Sequence, residues 1–130
     1  MNSLAVDIKD LLESQSGLGF TFGTDLFVSL EPEKPDNCVT IYDTSGQIPD
    51  LALTSESYYR DTVQIRVRNN SYENAMSLIY SIESFLQGRH TFTMNSIKYA
   101  LIKTMIPPFH LGYDKNRRVL IVLNIEAQRS

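Results

Sequence analysis

The sequence predicts a single α+β domain over residues 1–130, with two helices packed on a mixed, mainly antiparallel sheet of four to six strands and with long loops. Three observations predict this class: a strand, turn and helix in succession over Asp61–Gly88, an apolar run near the C-terminus, and strands grouped between helices along the chain. At 130 residues the chain has the size of one domain with one core.

The strand of the central stretch has a period of two. Val63, Ile65 and Val67 alternate with polar residues, so that apolar side chains point to one face and polar side chains to the other. This alternation predicts a half-buried strand.

A helix follows that strand. Asn70 is placed to cap it, with Glu73 reaching back as in a capping box, so the helix is predicted to begin near Ser71 and to stop at Gly88. Its apolar residues recur at helical spacing: Ala75, Leu78, Ile79, Ile82, Phe85 and Leu86. The stripe predicts packing on the sheet.

The remaining elements follow from shorter patterns. Leu4, Ile8, Leu11 and Leu12 predict a first helix over Ser3–Ser14 capped by Ser3. Asp25–Leu30 is short and alternates only weakly. A second half-buried strand is predicted around Val39–Tyr42, then a hairpin turning at Asn95-Ser96, then a central strand within Arg118–Ala127 that is apolar on both faces.

Two stretches show no sustained period and are predicted as extended loops, Asp43–Arg60 and Ile106–Arg117. Both are apolar for loops, which favours contact with a partner. We therefore predict a protein interface formed by Ile48, Leu51, Leu53, Tyr58, Tyr59, Phe109, His110 and Tyr113. The alternative for Asp43–Arg60 is that its side chains fold back over the domain's own core.

Charge and composition exclude several classes of protein. The net charge of −3 disfavours specific nucleic-acid binding. Arg66 and Arg68 form a small basic cluster, which is either solvated and paired with nearby acids or part of the predicted interface. No membrane-spanning run or signal peptide is recognisable, which predicts synthesis in the cytoplasm.

The sequence predicts no catalytic, metal or cofactor site. Cys38 is the single cysteine, and its apolar surroundings favour a buried side chain. His90 and His110 are isolated, so neither a nucleophile–base pair nor a metal-ligand spacing is present. A hydrolase would require one of these histidines to be essential, and we rank that hypothesis last.

The chain resembles the minor capsid or tail terminator family of long-tailed bacteriophages from about Phe20 to Arg129. Three segments carry the resemblance: Asp36–Asp43 running into Gly46 and Pro49, Thr62–Arg68 with Tyr72, and Gly112–Asp114 before an apolar strand that includes Asn124. The family has no catalytic signature, so the resemblance implies no active-site residues and no cofactor.

What the resemblance implies is a structural virion protein of the head–tail junction, made in the host bacterial cytoplasm. Its expected partners are further copies of itself in a hexameric ring, the tail tube protein and the head connector or stopper protein, with the genome passing through the ring. The rival hypothesis is a small monomeric or dimeric α+β module that binds a ligand or peptide. The native mass separates the two.

Overall fold

The computed structural model describes residues 2–50 and 58–129, with the side chains of residues 45–50 and 58 outside that description. The helices and strands in chain order are α1 (Leu4–Ser14), β1 (Leu26–Val28), β2 (Cys38–Asp50), β3 (Tyr58–Asn69), α2 (Tyr72–Leu86), β4 (His90–Met94), β5 (Ile97–Tyr113) and β6 (Val119–Arg129).

The described strands form one six-stranded sheet in the order β1-β2-β3-β6-β5-β4. β1 runs parallel to β2, and every other neighbouring pair is antiparallel. The predicted α+β class with a mixed, mainly antiparallel sheet is confirmed.

The core lies between the two helices and one face of the sheet. Val63, Ile65 and Val67 are fully buried on that face, and Ile121 and Leu123 of the neighbouring β6 join them. Full burial of such side chains is worth about 1.5–3 kcal/mol each, so the burial of this face stabilises the fold. The predicted half-buried strand and the predicted central strand are both confirmed.

α2 begins where the sequence predicts, but its cap differs from the predicted one. Ser71 is the N-cap, and its Oγ accepts from the Asn74 backbone N–H at 3.3 Å. Asn69 Oδ1 accepts from the Ser71 N–H at 2.9 Å, in place of the predicted capping box. Asn70 was wrong as the cap because its backbone N–H donates to Asn37 Oδ1 at 2.9 Å, which fixes it to the segment before β2.

The prediction of a loop over Asp43–Arg60 was wrong for residues 43–50 and 58–60, and residues 51–57 lie outside the described part of the chain. β2 continues to Asp50 and β3 starts at Tyr58, and the two pair antiparallel. The register shifts between Thr44 and Gln47 and again before Asp50. Because each shift interrupts the alternation of side chains, the period of two is lost from the sequence although the strands persist.

The second predicted loop, Ile106–Arg117, is also mostly strand. β5 runs on to Tyr113 beside β6. Pro107 and Pro108 lie within a register shift between the paired positions Ile106 and Phe109, where their missing N–H groups break no ladder bond. The chain turns only after Tyr113.

The hairpin between β4 and β5 turns at Asn95 and Ser96, as predicted. Their φ angles of 52° and 65° are both positive, which is the backbone of the two-residue turns that match the twist of antiparallel strands. Met94 pairs with Ile97 directly across this turn.

A buried polar cluster fastens α1 to the sheet. The Asp7 carboxylate, 1% exposed, accepts from the Tyr99 hydroxyl, from Arg129 Nη1 at 3.1 Å and from Asn95 Nδ2 at 2.8 Å. Arg129 Nε also donates to Asp61 at 2.8 Å. Burial and the bond to Asp7 raise the pKa of Tyr99, which keeps its hydroxyl protonated as a donor.

Candidate functional site

The second half of β5 carries the largest group of exposed apolar side chains among the described residues. It contains five of the ten large hydrophobic residues that are exposed: Met105, Ile106, Phe109, Leu111 and Tyr113, at 47%, 50%, 39%, 49% and 61%. A concentration of this kind on a small domain is typical of a protein–protein contact. We call these five residues the β5 patch.

Phe109, His110 and Tyr113, which the sequence predicts as interface residues, all lie on this part of β5. His110 and Tyr113 pair with Ile121 and Val119 of β6 and point to the helix side of the sheet. There the His110 ring packs edge-to-face against the rings of Tyr72 and Tyr113, with distances between ring centroids of 5.7 Å and 5.2 Å. The contacts hold three exposed rings at the N-terminal end of α2.

Sequence reasoning missed Met105, Ile106 and Leu111. Their only signal was their apolar character beside two prolines, and no period of two reveals a face there because the register of β5 shifts around them. The other predicted contact residues belong to the β2–β3 hairpin. Tyr59 is 41% exposed. Leu51 and Leu53 lie outside the described residues, as do the side chains of Ile48 and Tyr58.

Arg66 and Arg68 differ in their surroundings although both lie on the polar face of β3. The Arg66 side chain is 28% exposed, lies 4.0 Å from Glu31 Oε1 and stands over the ring of Tyr42. The Arg68 side chain is 3% exposed and lies 3.3 Å from the same carboxylate. An exposed contact role for Arg68 does not fit, because its guanidinium is held within its own chain.

Two arginines fix the segment that joins β1 to β2. Arg68 Nη2 donates to the Pro35 carbonyl at 2.6 Å, and Arg118 Nη1 donates to the Glu33 carbonyl at 2.6 Å and to Asp36 at 3.2 Å. Hydrogen bonds from charged donors are the stronger kind. The proline-rich connection is therefore a fixed part of the surface.

Arg118 also fixes the turn that follows β5. Asp114 accepts from the backbone N–H of Arg118 at 2.9 Å and from its Nε at 2.8 Å. Desolvation acts to raise the pKa of Asp114, but the hydrogen bonds from Arg118 and Asn116 outweigh it and hold this pKa below its ordinary value.

The face of the sheet opposite the helices carries buried polar groups. Four side-chain atoms there or beside it are buried without a hydrogen-bond partner among the described residues: Glu31 Oε2, Thr40 Oγ1, Arg66 Nε and Glu126 Oε1. Glu126 retains an ion pair with Lys103 at 3.7 Å. Ile106 and Phe109 of the β5 patch pair with Asn124 and Val122 and therefore lie on this same face, whereas Tyr113 lies on the helix side.

No arrangement suited to catalysis is found in the described part of the chain. The His90 ring is hydrogen-bonded to the Thr91 hydroxyl at 3.2 Å, and the His110 ring lies between two tyrosines. Residues 2–50 and 58–129 contain no group of three or more potential metal ligands. Nor does any helix in these ranges have the length and apolar character needed to cross a membrane.

A groove lies between the end of α1 and the outer side of α2. It has a volume of about 860 Å³ and is lined by serines of α2 together with Tyr80 and Arg89. The predicted contact residues are not among those that line it.

A sequence model of the bacteriophage tail terminator protein family matches residues 12–130. The chain belongs to this tail terminator family. It is therefore a structural protein of the phage tail and a component of the virion, which confirms the resemblance carried by the three sequence segments. No curated protein matches the chain.

Solved structures share the fold of this tail terminator family member. A chain in the virion of a native gene transfer agent particle superposes with a TM-score of 0.63 at 10% identity, covering 98% of this chain and 94% of that chain. A second solved chain gives a TM-score of 0.56 at 7% identity, covering 98% and 91%. At such identities the similarity establishes the fold alone.

Proposed function

We propose that this protein forms a hexameric ring that ends the polymerised tail tube and joins it to the head connector. Membership of the tail terminator family supports a place in the tail. The observation that carries the proposal is the β5 patch, whose exposed apolar side chains exceed what a free monomer of this size needs. A ring protomer requires such surfaces on two sides.

The contact residues follow from exposure. Phe109, His110, Tyr113 and Tyr59 are proposed to contact neighbouring chains, since all four are exposed. Ile48, Leu51, Leu53 and Tyr58 remain proposed contacts of the β2–β3 hairpin with the tube or the connector. Arg66 stays in the list because its side chain is partly exposed, whereas Arg68 is removed from it.

The ring is proposed to work by contact alone, without catalysis or a cofactor. Six copies with a net charge of −3 each carry a formal total of −18. A neutral or acidic channel lets DNA pass without binding, because binding to the phosphate backbone depends on cations. The proposal therefore includes passage of the genome but no specific affinity for it.

The rival function is a small ligand- or peptide-binding module. Its support is the groove of about 860 Å³ beside α2, a size that accommodates a small ligand. A monomer or dimer that binds a ligand there and leaves tube assembly unchanged would favour this rival.

The experiment that tests the proposed function is tube assembly. Tail tube protein is polymerised with and without this protein, and tube lengths are measured by electron microscopy. We expect capped, shorter tubes at substoichiometric amounts, with the cap at one end. Unchanged tube lengths at every ratio, together with no binding to tube ends, would contradict the proposal.

A further inference from the structure

Seven of the ten exposed large hydrophobic residues among the described ones lie towards two opposite edges of the sheet, and the other three are Tyr59 of β3 and Tyr72 and Tyr80 of α2. One edge carries the β5 patch. The other, which we call the β1 edge, carries Phe22 and Leu30 on either side of β1, at 49% and 77% exposure. Phe22 forms a bridge with Leu26, and the Ser29 N–H donates to the Ile41 carbonyl at 2.9 Å, so both residues are held at this edge.

Both surfaces lie at the same end of the sheet, the end at which β6 begins with Val119. β1 pairs with Val39–Ile41 of β2, which is joined through β3 to Ile121–Leu123 of β6. The residues of β5 from Ile106 to Tyr113 pair with Asn124–Val119 of β6. If neighbouring copies are related by rotation about an axis along the strand direction, the β5 patch of one copy and the β1 edge of the next therefore lie at the same level along that axis.

The outlines of the two edges are complementary. β1 covers β2 only at the Val119 end, whereas β4 covers β5 only from Ile97 to Leu101, at the end where β6 finishes with Arg129. Five strands are present at either height, namely β1, β2, β3, β6 and β5 at one end and β2, β3, β6, β5 and β4 at the other. When two copies lie side by side, β1 of one copy therefore fits beside the part of β5 in the other copy that β4 does not cover.

Strand directions suit the same arrangement. β2 and β6 run the same way, β5 runs opposite to them, and β1 runs parallel to β2. A neighbouring copy in the same orientation would set its β1 antiparallel to β5. Pro107 and Pro108 lack N–H donors, so side chains must supply most of the contact, and the same prolines protect the free edge from strand addition by other proteins.

Charge disfavours contact between two β1 edges. Residues 90–113, which form β4 and β5, contain two lysines and no aspartate or glutamate, whereas residues 21–50 contain six acids and one lysine. Glu31, Glu33 and Asp36 contact arginines of their own chain, which leaves Asp25 and Asp43 to add negative charge. Two β1 edges therefore repel each other, whereas residues 105–113 carry no charged side chain and the nearby Lys103 is paired with Glu126, so the β5 patch can approach a β1 edge without charge repulsion.

We propose that copies of this chain join head to tail through these edges, with the β5 patch of one copy on Phe22 and Leu30 of the next. The inference rests on the proposed ring and identifies its lateral interface, with a second copy of the chain as the occupant. An interface between unlike surfaces closes into a ring when its rotation divides the circle. Leu30 and Leu111 are the exposed leucines of the two surfaces, and we assign both to this interface.

The test is site-specific crosslinking with a short thiol-reactive crosslinker. The double variant Leu30→Cys/Leu111→Cys carries one thiol at each edge, while the natural Cys38 is buried and its pKa is raised by burial, so it reacts little. The matched control is Leu30→Cys/Tyr80→Cys, because Tyr80 is 49% exposed on α2, away from both edges. Light scattering records the oligomeric state of each sample, with and without tail tube protein.

We expect the double variant to give a ladder of covalent oligomers that ends at the ring, and the control to give none. A mixture of chains that carry only Leu30→Cys or only Leu111→Cys should stop at dimers, and each single variant alone should stay uncrosslinked. Dimers of the Leu30→Cys chain alone would overturn the proposal in favour of a two-fold contact. An intact ring without a ladder would overturn the edge assignment and leave the ring standing. A monomer under all conditions would refute the ring itself.

Discussion

Removing the two leucines of the proposed lateral interface tests the account at its most sensitive point. Full burial of a leucine is worth about 1.5–3 kcal/mol. Leu30 and Leu111 are 77% and 49% exposed in the free chain, so burying what is exposed contributes about 2–4 kcal/mol per interface. The variant Leu30→Ser/Leu111→Ser should therefore weaken each interface by roughly 30- to 900-fold.

The assay is light scattering over a dilution series, with the midpoint concentration of assembly as the measured quantity. Both leucines are at the surface of the free chain, so the free energy of unfolding should change by no more than about 0.5 kcal/mol. The control is Tyr80→Ser, which removes a side chain of comparable exposure from the outer side of α2. A double variant that assembles at the wild-type concentration, or a control that weakens assembly equally, would refute the assigned interface.

Further predictions concern the fold and the partner surfaces. Asp7→Ala should lower the free energy of unfolding by about 3 kcal/mol, because it leaves the buried Tyr99 hydroxyl without its acceptor and Arg129 with Asp61 as its remaining carboxylate; Asp7→Asn should lower it less in the same denaturant titration. The lowered pKa of Asp114 implies a stabilising contribution that is complete above its ordinary value of 3.8 and is lost as the pH falls through the lowered pKa, so Asp114→Asn should flatten the acid limb of a stability–pH profile. Arg66→Glu should weaken the proposed protein contact made by Arg66, and the loss of binding should be largest at low salt. Binding of the unmodified protein to duplex DNA, measured by filter binding, should be negligible near physiological salt. Leu51→Ser/Leu53→Ser should impair tube capping while the free energy of unfolding stays within about 1 kcal/mol, and a larger loss would place these leucines in the core.

Elements with an unbroken period were predictable from the sequence. The alternation of Val63, Ile65 and Val67 and the helical stripe of α2 both describe the buried face directly, because each residue's direction follows from its spacing. The two-residue turn at Asn95-Ser96 was predictable from turn chemistry. These elements together determine the sheet-and-helix core.

What the sequence obscured were strands with register shifts. In β2 and β5 an extra residue moves the following side chains to the other face, so a count of alternating residues fails although the strands continue. The two prolines of β5 lack an N–H donor and so suggested that strand pairing ends there. They lie within a register shift, where the sheet needs no hydrogen bond from them. Strand length was therefore underestimated at both places.

The surroundings of Arg68 could not be predicted from local pattern either. Its partners are backbone carbonyls and a carboxylate more than thirty positions earlier in the chain, and they meet it only because β1 and β2 bring that segment across β3. Arg66, two residues away, has the same sequence character and remains partly exposed. The alternation of apolar and polar residues predicts the face of the sheet on which a residue lies. The segment that buries this face belongs to a distant part of the chain and is not visible in the local pattern.

The mass of the assembly is the most direct test of the central claim that this protein works as a ring. Native mass spectrometry of the full chain, alone at rising concentration and then released from capped tubes, measures it without assumptions about shape. The account predicts a dominant species of six chains of 14.8 kDa, about 89 kDa. A chain that stays at 14.8 kDa under both conditions, or that stops at a dimer, would contradict it.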